Sequence, residues 1–170
     1  MHPSRLRWLI LTFVVVFLDR ACKAVIEAKT SEGWRHELVR HFIYLVHSRN
    51  TGIAFSLFAD GSSWIRYVLI AGSLVVIAIL AWYLVRGSGV SARAAAGLAL
   101  LLGGATGNLT DRILRGGVTD FFEVWFGSYR YPAFNVADSA ITIGAIALGV
   151  SLWQEGRAQQ RAKEAHVAEP

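Results

Sequence analysis

Four apolar runs, each close to the length of a bilayer crossing, divide the chain. Residues 8–26 open with the unbroken apolar stretch from Trp8 to Leu18 and carry a charged interruption at Asp19, Arg20 and Lys23. Residues 64–85 are the plainest run, with Trp64 and Tyr67 near one end and Trp82 and Tyr83 near the other, where amphipathic rings meet water interfaces. Residues 94–114 start rich in Ala, Leu and Gly and end polar, in Asn108, Thr110, Asp111 and Arg112; residues 134–153 carry Asn135 and Asp138 early and are then apolar to Leu152. At roughly 20 residues per crossing, this pattern predicts an all-α membrane protein with four transmembrane helices.

The connections differ in kind. Segment 27–63 is too long for a turn, and its β-prone runs 41–47 and 53–58 flank Asn50-Thr51-Gly52, a turn signal, so a small β-sheet at the outer membrane face is expected. Segment 115–133 reads as an aromatic-rich outer loop holding Phe121, Phe122, Trp125, Phe126, Tyr129 and Tyr131, with room for a short helix. The polar tail, 154–170, reads as a frayed helix end. No linker or long-period repeat separates these pieces, so residues 1–170 are expected to form a single domain.

Composition supports this picture. Of 170 residues 54% are apolar and 17% charged, with a mean hydropathy of +0.43, which excludes a large soluble catalytic domain. A single cysteine, Cys22, excludes an intramolecular disulfide, and no Cys/His cluster is available for zinc. The basic start, apolar stretch and Ala21-Cys22 imitate a cleavable lipoprotein leader, but Asp19 and Arg20 stand where such cleavage sites want apolar and small residues. The net charge of +5 comes from dispersed Lys and Arg with no basic run, so no nucleic-acid partner is expected. Segments 1–7, 86–93 and 154–170 hold seven Lys and Arg in 32 residues, against six in 56 for segments 27–63 and 115–133, which predicts cytoplasmic termini.

Ionisable groups within a bilayer are expensive and face a bundle interior. Here they gather towards one side: Asp19, Arg20 and Lys23 at the outer end of the first span, Asn108, Asp111 and Arg112 at that of the third, Asn135 and Asp138 at that of the fourth. The second span adds almost nothing polar beyond Ser73. Asp19 with Lys23, at i and i+4, and Asp111 with Arg112 are candidates for local neutralisation. Asp120 and Asp138 have no Lys or Arg within four residues. Two carboxyls brought together hold one proton between them and titrate as a unit, the state in which an aspartic protease activates water. Spacing alone leaves a second reading open, a solvated loop aspartate plus a helix-capping one.

Five ordered blocks then carry a resemblance: Leu18-Asp19 with Lys23; Asn50-Thr51-Gly52-Ile53-Ala54-Phe55; Gly103-Gly104-Ala105-Thr106-Gly107-Asn108-Leu109-Thr110-Asp111-Arg112; Gly117-Val118-Thr119-Asp120-Phe121; and Phe134-Asn135-Val136-Ala137-Asp138-Ser139. From about residue 8 to 153 the chain resembles lipoprotein signal peptidase, or signal peptidase II. The resemblance implies a multi-pass inner-membrane aspartic endopeptidase, active near the periplasmic face, that removes signal peptides from diacylglyceryl-modified prolipoproteins just before the lipidated cysteine. It implies catalytic Asp120 and Asp138, supporting Asn50, Asn108, Arg112 and Asn135, and Asp19, Lys23 and Asp111 around them. It also implies inhibition by globomycin-like cyclic peptides; the carboxylate pair itself calls for no cofactor or metal, the position of the site predicts contact with membrane lipid, and a monomer is expected. Arg20 and Ala21 depart from the residues usual in their block, a change read as peripheral. The competing classes are a proton or ion transporter with buried carboxylates, and a non-catalytic membrane assembly subunit; a line of polar groups across the bilayer would mark the transporter. Gly-x-Ser-x-Gly and His-Glu-x-x-His are both absent from the sequence.

Overall fold

A computed structural model describes residues 3–52, 63–87 and 90–168. In chain order the elements are α1 (Pro3–Lys29), β1 (Arg35–Val39), β2 (Ile43–Asn50), α2 (Ser63–Arg86), α3 (Ala92–Arg115), β3 (Val118–Phe126), β4 (Tyr129–Phe134) and α4 (Val136–Ala168). The four expected helices are present; α1, α2 and α3 run past both expected bounds, and α4 starts two residues late and runs past its expected end. Two of them, over Trp64–Arg86 and Val136–Arg161, are long and apolar enough to cross a membrane. Phe13 and Phe17 on α1, Leu74, Val75 and Ile79 on α2, and Ile143 and Ile146 on α4 point outward and are exposed.

The longest extension is in α4, which continues to Ala168 where a frayed end was expected. Its tail is rich in Gln, Glu, Arg, Ala and Lys, strong helix formers that outweigh Gly156, and Gln160 donates to Glu164 one turn on.

Both long connections enter one antiparallel sheet in the order β1-β2-β3-β4. The run expected at 41–47 appears as β2; the second, at 53–58, lies outside the described residues. Residues 115–133 are not the expected loop with a short helix: they supply most of the hairpin β3-β4. The reason is local. Val118–Phe126 is dense in β-branched and aromatic residues, and Gly127 takes φ 63 at the turn. β1, wholly exposed and polar at its start, had no alternation to reveal it. Ser48 lies opposite Asp120 and Asn50 opposite Val118, so β2 delivers Asn50 beside the third strand.

All of this sits at one end of the bundle, where α1 and α3 end and α2 and α4 begin. α3 is the hub and packs against the other three helices. Its C-terminus is closed by Gly116 at φ 79, whose N–H donates to Arg112 O, and by Arg66 of α2, which donates to the carbonyls of Arg112 and Ile113 at 2.9 Å each. The second span is therefore not confined to Ser73 in its polar content.

Small residues set the α3–α4 distance. A Cβ on Gly97 would lie 2.8 Å from Gly144 O, and a Cβ on Gly144 would lie 2.8 Å from Gly97 O. Gly104 meets the Ala137 backbone in the same groove, while Gly103 faces Val15 of α1. Gly104 thus permits close approach of α3 to α4, and Gly103 close approach of α3 to α1. Gly144→Leu should therefore force the helices apart and lose about 1–3 kcal/mol of stability, whereas Gly72→Ala, in open space, should lose none. Thermal unfolding of both variants in detergent checks the difference.

Candidate active site

The hairpin explains how residues 120 and 138 meet. Phe122 of β3 pairs with Phe134 of β4, so continuing that antiparallel register sets Asp120 opposite Val136, the first residue of α4. Asn135 is the cap of that helix. Its side-chain oxygen accepts from Asp138 N at 2.9 Å, and its own N–H donates to Asp138 Oδ2 at 3.2 Å, a reciprocal capping box. Asn135 Nδ2 in turn donates to Asp120 Oδ1 at 2.7 Å. One asparagine therefore holds both carboxyls.

The remaining donors complete the pair. Asn108 Nδ2 donates to Asp138 Oδ1 at 2.8 Å, and Asn50 Nδ2 reaches Asp120 Oδ2 at 3.4 Å. Asn50 also accepts from Gly52 N at 3.0 Å, the side-chain turn that its Asn-Thr-Gly setting predicts. Arg112 donates to Gly52 O at 3.2 Å and so ties down that turn. Asn50, Asn108, Arg112, Asp120 and Asp138 line a single cleft of about 330 Å³, whose apolar wall is Val118, Tyr131, Pro132, Ala133, Phe134 and Ile141. Asp138 is thus both a helix-capping aspartate and a cleft residue, so the two readings of the sequence are not exclusive for it.

Behind the cleft lie Asp19, Lys23, Asp111 and Asn135, the largest side chains that are fully buried. Burying an ammonium costs several kcal/mol unless it is paired and hydrogen-bonded. Lys23 Nζ stands 2.6 Å from Asp19 Oδ2, 2.7 Å from Asp111 Oδ2 and 3.1 Å from Asn108 Oδ1, so the ammonium faces two carboxylates and an amide oxygen. The contact with Asp111 is an ion pair rather than an aligned hydrogen bond. Asp19 Oδ1 accepts from Ala137 N at 2.9 Å, capping α4 from α1.

Two expectations change here. Asp19 and Lys23 do pair locally, but Asp111 contacts Lys23 and Arg20 instead of Arg112. Adjacent helix positions diverge by roughly 100°, which turns Asp111 towards α1 and leaves Arg112 on the cleft. Arg20 is not peripheral: its Nη1 is 2.5 Å from Asp111 Oδ1 and its Nη2 is 3.4 Å from Glu27 Oε2. Glu27, which sequence reasoning passed over, also accepts from Thr119 Oγ1 at 2.7 Å and pairs with Arg115 at 2.9 Å. The i, i+7 spacing of Arg20 and Glu27 on one helix face was the available signal.

Among the described residues no group of three or more His, Cys, Asp or Glu is placed to hold a metal ion. What the arrangement offers is an acid–base pair in two different settings. Burial, followed by the charge of Asp138, pushes Asp120 up to about 7, against the partial opposition of hydrogen bonds from Asn135 and Asn50. Asp138 sits in the first turn of α4 with two donors on its oxygens. The folded chain thus keeps the Asp120 proton from 3.8, where an ordinary aspartate releases it, up to about 7. It binds more protons than the unfolded chain in that window, so stability falls as pH rises through it and levels off above. Asp120→Asn should flatten this decline, and Asp138→Asn should bring the Asp120 titration below about 7. Thermal midpoints measured between about pH 4 and 8 test the first, and the infrared band of the protonated carboxyl tests the second.

The chain is similar to known proteins over most of its length. The family model described as signal peptidase (SPase) II matches residues 11–154. The lipoprotein signal peptidase of Xylella fastidiosa (strain M12) is 39% identical over 149 residues, covering 88% of this chain and 89% of that protein. That of Pseudomonas aeruginosa (strain UCBPP-PA14) is 40% identical over 160 residues, covering 94% and 95%. Among solved structures, a bacterial membrane enzyme determined by the in meso method at 2.3 Å resolution superposes with a TM-score of 0.80 at 27% identity, covering 88% of this chain and 89% of that one. With a family model spanning most of its length and relatives this similar along nearly all of theirs, the chain belongs to the signal peptidase II family.

Proposed function

We propose that this membrane peptidase is an aspartic endopeptidase that removes the signal peptide of diacylglyceryl-modified prolipoproteins immediately before the lipidated cysteine. Family membership supports the substrate class, and one observation supports the chemistry: Asn135 hydrogen-bonds both Asp120 and Asp138 at the floor of an open cleft. The ionised Asp138 takes a proton from a water as that water attacks the scissile carbonyl carbon. Protonated Asp120 donates to the carbonyl oxygen, and the tetrahedral intermediate collapses as a proton reaches the leaving nitrogen. Asn50, Asn108 and Arg112 offer neutral and cationic donors along the cleft for the peptide backbone.

In this reading residues 1–170 form one peptidase domain with α1, α2, α3 and α4 all crossing the inner membrane and both termini cytoplasmic. The sheet then lies at the periplasmic face. Outward apolar side chains on α1, α2 and α4 support contact with lipid, and the gathering of buried charge at one end of the bundle supports a site at one interface rather than a path across. The substrate's diacylglyceryl chains stay in the bilayer while the extended peptide enters the cleft against the edge strand β4. The enzyme works as a monomer and binds globomycin-like cyclic peptides in the same cleft.

Asp120→Asn and Asp138→Asn should each lower cleavage of a purified lipid-modified precursor by at least about 10³-fold, within the range that positioned acid–base groups supply, while folding is retained. Full processing by either variant would remove the assignment. Cleavage by the unaltered protein should persist in chelator and stop with globomycin.

A further inference from the structure

Arg20 lies outside the cleft, and the mechanism above does not use it. Its guanidinium is four-fifths buried and meets Asp111, which is fully buried. Asp111 and Asp19 also share the single ammonium of Lys23. Counting these groups, two carboxylates face two cations only because Arg20 is present. The neighbouring pair Glu27 and Arg115 is neutral by itself, although Arg115 also approaches Asp111 at 3.9 Å and Arg20 approaches Glu27 at 3.4 Å.

The balance matters because Lys23 also donates to Asn108. An ammonium only donates, so Asn108 must turn its Oδ1 towards Lys23, at 3.1 Å, an orientation that Asn135 Nδ2 shares in holding from 3.3 Å. That choice leaves Asn108 Nδ2 as the donor to Asp138 Oδ1 at 2.8 Å. A flipped amide would set an oxygen against a carboxylate. We propose that Arg20 is a positioning residue for the aspartate pair: by neutralising Asp111 it leaves Lys23 free to hold Asn108 in the orientation that serves Asp138. The inference rests on the proposed catalytic role of Asp120 and Asp138.

Removing Arg20 leaves one uncompensated negative charge in this buried group. Asp111 then draws Lys23 away from Asn108, and the field behind the cleft becomes more negative. The charge of Lys23 already acts on Asp120, in opposition to that of Asp138. The other groups facing the pair are Arg112 and Asn108 from α3, Asn50 from β2 and Asn135 at the start of α4. With the balance lost, Asp120 holds its proton harder.

The experiment measures kcat and KM against pH for cleavage of a lipid-modified precursor in detergent. Arg20→Gln should lower kcat on the order of tenfold, a fraction of what a positioned acid–base pair supplies, with KM little changed, and should move the alkaline limb to higher pH. Arg20→Lys should restore most of kcat. The double variant R20Q/D111N removes one charge of each sign, so it should return the limb to its original position although the ion pair is gone. If R20Q does not fold, the double variant alone carries the test. An unmoved limb in R20Q, or a double variant whose limb lies higher than in the unaltered protein, would overturn the proposal. Retained cleavage by D138N would instead overturn the reading on which it rests; an inactive D138N beside an unshifted R20Q would sink only the role of Arg20.

Discussion

Lys23 is the constraint around which the rest is arranged. A fully buried ammonium is tolerated only where its protons meet acceptors, and here the acceptors come from two helices: Asp19 on α1, Asn108 and Asp111 on α3. Asp19 then spends its second oxygen on the backbone of α4. Three helix ends are therefore joined at one point by groups that cannot be left unpaired. Such a centre adds less net stability than an apolar one of equal volume, because desolvation offsets much of the attraction.

The cleft inherits that geometry. Asn108 faces Lys23 with its amide oxygen and Asp138 with its amide nitrogen, and Asn135 links Asn108 and Asp120 through its amide nitrogen and Asp138 through its amide oxygen and backbone N–H. They transmit orientation without adding charge beside the two carboxyls. The asymmetry of the pair follows from where each member is attached. Asp120 is on an interior strand, buried, beside a negative neighbour; Asp138 is in the first turn of a long helix with amide donors on both oxygens.

Packing makes the convergence possible. The contact of Gly97 with Gly144 and that of Gly104 with Ala137 bring the α3 and α4 backbones close enough for asparagine, a short side chain, to bridge them. On the other side the sheet joins two sequence-distant connections, so that Asn50 and Asp120, 70 residues apart, meet across adjacent strands.

Much of this was legible in the residues alone. Apolar runs of bilayer length announce four helices because a helix that faces lipid must be apolar over a fixed length, and charges within such runs mark a site because burial without a role is costly. Asp19 with Lys23 was readable from i, i+4 spacing, and the Asn50 turn from Asn-Thr-Gly. The hairpin β3-β4 was not, since its aromatic run suits an interfacial loop as well as a strand and only pairing with β2 decides between them. Nor was the choice of Arg20 and Lys23 over Arg112 as partners of Asp111, or the part played by Glu27. Local sequence determines which segments are apolar, which are turns and which side chains carry charge; which charges meet depends on helix rotation and on strand partners, and those are set by contacts between segments far apart in the chain.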